Sequence, residues 1–159
     1  DDPSNRDPRF ARGALRIRAD AQEGLGLTAA RLALLARRAA RADDAIEQAA
    51  DRAALRCGLP EPAGAVAEIR LAPALFLEAE EVRLRLLRRA ILQVAGVPAG
   101  AQELRLERLE ALGEGLAEAR ARGATLKRTL GGMVIRLAAD GNVSLTREGP
   151  RQRGQSRHV

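Results

Sequence analysis

The sequence predicts a mainly α chain: a helical domain that closes on a small C-terminal antiparallel β element, an α+β arrangement. Three observations carry that prediction. Apolar residues recur at helical spacing along most of the chain. Only Phe10 and Phe76 are aromatic, so the core must be built from Leu, Ala, Val and Ile, which favours helices over aromatic-rich sheets. Near the C-terminus, short alternating stretches are separated by Gly131-Gly132 and Asp140-Gly141, which is hairpin chemistry. With 46% hydrophobic and 30% charged residues, the chain is too apolar to be disordered and too charged to live in a membrane. No apolar run approaches the roughly 20 residues that span a bilayer. No sequence repeat of fixed period is present. The 159 residues suffice for one compact domain or two small lobes.

The opening Asp1-Asp2-Pro3-Ser4-Asn5 is turn chemistry, and Asp7 followed by Pro8 reads as an N-cap with proline at the first helical position. Phe10, Ala14, Ile17 and Ala21 then recur at helical spacing, while Arg9, Arg12 and Arg16 share another face. Gly24 and Gly26 end this helix. Thr28 caps a longer one reaching about Arg56, with Leu32, Leu35, Ala39, Ala42, Ile46, Ala49 and Ala53 as its expected buried stripe. Its charges are segregated, with Arg31, Arg37, Arg38 and Arg41 in the first half and Asp43, Asp44, Glu47 and Asp51 in the second. A solvated helix face accounts for that pattern; a phosphate backbone crossing the basic half is the sharper reading.

Cys57 to Gly64 is a Pro/Gly-rich break and the expected boundary between lobes. Val66 to Leu71 reads as a short strand. Pro73 introduces an apolar helix, roughly Leu77 to Val94, that should be central. A further helix, about Gln102 to Arg122, follows with Leu106, Leu109, Leu112 and Leu116 inward, weakened by Gly113 and Gly115 at roughly 1 kcal/mol each relative to Ala. Thr125–Leu130, Met133–Leu137 and Val143–Arg147 are strand-like, and Asp140-Gly141 predicts a type I′ turn between the last two. The expected organisation is a junction and helical lobe over 1–57, a helical lobe ending in a small β-meander over 65–148, and a disordered basic tail over 149–159.

The net charge is +6, and of 27 basic residues only Lys127 is lysine. Arginine bias can follow genome composition. Guanidinium is also the better fork for phosphate, so the balance leans toward nucleic acid. Cys57 is the single cysteine, which excludes an internal disulfide and fits a cytoplasmic setting. With His158 as the single histidine, neither a zinc site of the usual kind nor a Ser-His-Asp or Cys-His group is available. No Walker loop and no GxGxxG after a strand is present, and Glu80 and Glu81 read as solvated helical acids. The chain starts at Asp1 without Met, which reads as a piece of something longer. Composition and spacing alone give a basic, mostly helical module of unnamed function.

Two stretches are more specific. Asp2-Pro3-Ser4-Asn5, followed by Asp7, Phe10, Arg12, Arg16 and Arg18, resembles the junction motif of tRNA(Ile)-lysidine synthetases, a family also labelled cell-cycle proteins. Leu126, Arg128, Leu130, Gly131, Met133, Ile135 and Arg136 resemble that family's late β-hairpin, and the helical order between the two ends agrees. One departure is Gly13, where the family usually has a polar or branched residue after the Arg12 equivalent. The resemblance implies an enzyme that uses ATP and Mg to adenylate the wobble cytidine of an isoleucine tRNA with a CAU anticodon and then couples lysine to it. The family's Ser-Gly-Gly-x-Asp-Ser loop is not in this sequence. The chain is thus expected to be the non-catalytic, tRNA-binding C-terminal portion, with no catalytic residue and no cofactor of its own; lysine and ATP would engage the catalytic domain. By the same resemblance, Asn5, Arg12, Arg16 and Arg18 would lie beside the cleft and the RNA; the charge pattern of the next helix adds Arg37, Arg38 and Arg41 as expected phosphate contacts. A homodimer is left open. The competing reading is a basic helical protein-interaction module without an enzymatic role; a nonspecific DNA binder finds no recognition-helix pattern.

Overall fold

A computed structural model of the chain describes residues 26–61, 64, 66–96 and 104–149. The expected first helix, the junction motif with Asn5, Arg12, Arg16 and Arg18, and the basic tail from residue 150 onward lie outside the described residues. Helix α1 (Ala29–Cys57) is followed by strand β1 (Glu68–Leu71), a 3₁₀ turn (Pro73–Leu77), helices α2 (Glu80–Ala95) and α3 (Leu106–Ala121), and strands β2 (Leu126–Leu130), β3 (Met133–Leu137) and β4 (Val143–Arg147). The mainly helical α+β class is what the periodicity predicted.

The chain divides into two compact units, Asp1–Ala45 and Ile46–Val159, with α1 contributing residues to both. In the first unit, the Thr28 hydroxyl accepts from the Arg31 backbone N–H at 3.3 Å, the N-cap bond expected of a threonine there. Arg31 also donates to the Gly26 carbonyl at 2.9 Å. The helix from there to Ala45 is exposed on every side, including Leu32, Leu35, Ala39 and Ala42. This corrects the expected buried stripe, which holds only from Ile46 onward, where Ala50, Ala53 and Cys57 are fully buried. Periodicity reports that a helix is amphipathic; it does not report whether anything covers the apolar side.

In the second unit the four strands form one antiparallel sheet in the order β1-β4-β3-β2. One face carries Ile69, Leu71, Ile135, Leu137, Val143 and Leu145, all buried. Leu86, Leu87, Ala90, Ile91 and Val94 of α2 and Leu109, Leu112 and Leu116 of α3 join them in a single apolar core. Residues of the Cys57–Gly64 break are tied to this unit: the Ala72 N–H donates to the Cys57 carbonyl at 2.8 Å, and Gln93 donates to the carbonyls of Pro60 and Glu61. Gly113 has a packing reason. A Cβ there would meet Leu84 Cδ2 at 2.6 Å, so the missing side chain lets α2 approach α3.

The type I′ turn expected at Asp140-Gly141 is found at the other hairpin. Leu130 pairs with Met133 across Gly131 and Gly132, whose φ values of 59° and 74° are those of a type I′ turn. The β3–β4 connection is instead a longer loop, in which Gly141 N–H donates to the Ala138 carbonyl and Ala138 N–H to the Asn142 carbonyl, each at 2.9 Å. Only Gly141 takes positive φ there, at 87°; Asp140 does not. The reason is local: Asp140 uses its carboxylate to accept from the Asn142 backbone at 2.9 Å and side chain at 2.7 Å. These bonds hold its carboxyl below the usual range.

Candidate RNA-contact surface

For an arginine to contact RNA it must be exposed and not already committed to a carboxylate. Several of the described arginines fail that criterion. Arg85 and Arg89, one helical turn apart on α2, both donate to the Glu47 carboxylate, and Arg89 also reaches Asp51 at 2.8 Å. Arg85 further bonds Glu81 at 3.1 Å. Burial opposes ionisation of Glu47, but the hydrogen bonds and charges of Arg89 and Arg85 outweigh it and hold the carboxyl below its ordinary value. Arg56 pairs with Glu78 at 2.6 Å and Arg122 with Glu118 at 2.8 Å. Arg147 donates to the Val94 and Ala95 carbonyls at 2.9 and 2.8 Å, satisfying the otherwise orphaned C-terminal end of α2. Each of these cations is committed to a partner within the second unit.

Two acids of the acidic half of α1, Glu47 and Asp51, thus face Arg85 and Arg89 rather than solvent alone. The basic half has no such explanation. Arg37, Arg38 and Arg41 are exposed, and among the described residues none forms an ion pair or side-chain hydrogen bond. Successive positions 37 and 38, and then 41 three residues on, put Arg38 and Arg41 on one stripe with Arg37 beside it. Three uncommitted guanidinium groups within little more than one helical turn can fork onto phosphate oxygens.

Of the seven residues singled out from the sequence, the structure thus brings together Arg37, Arg38 and Arg41; Asn5, Arg12, Arg16 and Arg18 fall outside the described residues. No group of three or more His, Cys, Asp or Glu side chains among the described residues could hold a metal ion. Nor is any described helix long and apolar enough to cross a membrane. Sequence reading missed a second basic group, on the open face of the sheet, because its members come together only through strand register.

No family model matches the chain, and no solved structure gives a significant match. Among curated proteins the chain is similar to the tRNA(Ile)-lysidine synthase of Methylobacterium nodulans, at 44% identity over 96% of this chain. It is also similar to proteins of that name from a Bradyrhizobium species, at 37% identity, and a second Methylobacterium species, at 42%, again over 96% of the chain. The matched stretches make up 44%, 45% and 43% of those proteins, so the chain spans less than half the length of the curated relatives it matches.

Proposed function

Since this chain belongs to the tRNA(Ile)-lysidine synthase family, we propose that it is the C-terminal, tRNA-positioning portion of such an enzyme. The observation that carries this reading is the division of labour on α1: Glu47 and Asp51 are used to hold α2, while Arg37, Arg38 and Arg41 are exposed and uncommitted. Their role is to grip phosphates of an isoleucine tRNA with a CAU anticodon and so present the wobble cytidine to the remainder of the enzyme. ATP-dependent adenylation of that cytidine and attack by the lysine amine belong to that remainder. In this reading the magnesium that adenylation uses also belongs to that remainder. Asn5, Arg12, Arg16 and Arg18 extend the same contact in this reading.

The test is equilibrium binding of the tRNA to the chain and to the variant R37A/R38A/R41A across a salt series. If each arginine neutralises one phosphate, the variant's log K against log salt flattens by about 2.1–2.7. Affinity for tRNA that is equal in the two proteins at every salt removes α1 from the contact. A second reading, a protein-interaction surface on α1, is favoured by one observation: Leu32, Leu34 and Leu35 are 40%, 39% and 63% exposed on the same half of the helix. Under that reading the arginine variant leaves tRNA affinity unchanged, while L32S/L35S releases a protein partner.

A further inference from the structure

The face of the sheet opposite the core is open, and its register assembles what the sequence scatters. Arg70 of β1 stands opposite Ser144 of β4, Ser144 opposite Arg136 of β3, and Arg136 opposite Lys127 of β2. These four residues form one row across all four strands. At 4.7–4.9 Å per strand the row is about 14 Å long. The neighbouring row on the same face is Glu68, Thr146, Val134 and Thr129. Arg70, Arg136, Lys127 and Thr129 are exposed, and Ser144, Val134 and Thr146 are half-buried.

Charge is distributed unevenly along the row. Arg70 lies 3.5 Å from Glu68 and its charge also acts on Asp140, so that end is locally balanced. Lys127 and Arg136, directly opposite one another, have no ion pair or side-chain hydrogen bond among the described residues. Like charges directly opposite on adjacent strands destabilise a sheet, so folding alone gives no reason for the pair. A bound anion does, and the hydroxyls of Ser144, Thr129 and Thr146 stand in and beside the row as further donors.

The same face says which form of RNA it fits. Proteins that hold single-stranded RNA on a sheet stack its bases on aromatic side chains. Here none of the residues of the four strands is aromatic. What remains is a row of cations and hydroxyls, suited to the phosphates and 2′-hydroxyls of a paired A-form stem, which are read by shape. We propose that the open sheet face, through Lys127 and Arg136 with Ser144, Thr129 and Thr146 as hydroxyl donors, is a second RNA-contact site that takes the backbone of a double-stranded stem. The inference rests on the tRNA reading for its partner and is independent of the arginines on α1.

The experiment titrates the chain with a 16-base-pair RNA duplex of arbitrary sequence and with the corresponding single strand, each across a salt series. The wild type is compared with K127T/R136T, with R136K, and with R37A/R38A/R41A. K127T/R136T neutralises two phosphates fewer, so its duplex salt slope is shallower by about 1.4–1.8. Its affinity is then about 25- to 60-fold weaker at 0.1 M salt, taking equal affinities at 1 M. R136K keeps the slope, and the thermal midpoint of K127T/R136T is not below that of the wild type, because a repulsive pair has been removed. If that variant instead misfolds, R136Q alone carries the test, with half the change in slope. Duplex binding that the sheet variants leave unchanged overturns the inference, as does wild-type preference for the single strand or absence of any RNA binding. With the tRNA titrated alongside, loss of tRNA binding in the α1 variant alone overturns the sheet site and leaves the proposed function standing; loss in the sheet variant alone supports the sheet site and removes α1.

Discussion

Glu47 is where the division between structural and functional cations is easiest to break. Its carboxylate accepts from both Arg85 and Arg89 and ties α2 to the buried end of α1. Substituting Glu47→Gln removes the charge while keeping shape and one acceptor. The side chains of Glu47, Arg85 and Arg89 are 45%, 18% and 32% exposed, so the pairs sit near solvent and each contributes about 0.5–1 kcal/mol. Two pairs give about 1–2 kcal/mol at neutral pH. Arg85 keeps Glu81 and Arg89 keeps Asp51, which places the expected loss at the lower end. That corresponds to a fall of about 3–5 °C in Tm. The pH dependence follows from the direction of the shift. The folded-state carboxyl is held below its ordinary 4.5, so its contribution is complete above that pH and is lost as pH falls through the lower folded value. Urea unfolding of wild type and E47Q at pH 7 and at pH 3 measures this. The difference between the two proteins should be present at pH 7 and shrink toward zero in acid. Equal stability at pH 7, or a difference that persists undiminished at pH 3, would refute the clamp and with it the structural role of Glu47.

Two further outcomes concern packing and the thiol. Gly115→Ala has ordinary room, its new methyl lying 3.7 Å from Leu126 Cδ2, and should stabilise α3 by about 0.5–1 kcal/mol. Gly113→Ala gains the same propensity but drives a methyl against Leu84, so overpacking costing about 1–3 kcal/mol cancels or reverses it; chemical denaturation of the two variants side by side separates them. Cys57 is fully buried, and burial, with Glu78 adding to it, pushes its thiol above the ordinary 9.0. It should therefore resist a thiol reagent in the native protein at pH 8 and react promptly once urea unfolds the chain; prompt modification of the native chain would contradict its place in the core.

Much of the fold was legible because the signals are local. The 3.6-residue period located α1, α2 and α3, Thr28 marked the start of the first, and alternation located β2, β3 and β4. The misread features are those decided by partners distant in sequence or by competition within a turn. Leu32 and Leu35 have the spacing of a buried stripe, yet spacing is equally satisfied by an exposed one. Asp140-Gly141 has type I′ composition, but the Asp140 carboxylate finds Asn142 and keeps its own φ negative, leaving the type I′ geometry to Gly131 and Gly132. The site was legible only as far as segregation of charge on one helix. That Glu47 and Asp51 are claimed by α2, freeing the interpretation of Arg37, Arg38 and Arg41, depends on tertiary contact. The row from Arg70 to Lys127 depends on β1 pairing with β4, a non-local pairing that no stretch of sequence announces.

The central claim is that this chain holds tRNA by its phosphates. It is tested most directly by measuring the affinity of the unmodified chain for an isoleucine tRNA with a CAU anticodon between 50 and 300 mM salt. The expected result is a straight line of log K against log salt with a downward slope of at least about 2, the value for three phosphates. A flat line, or no binding at 50 mM, would contradict it.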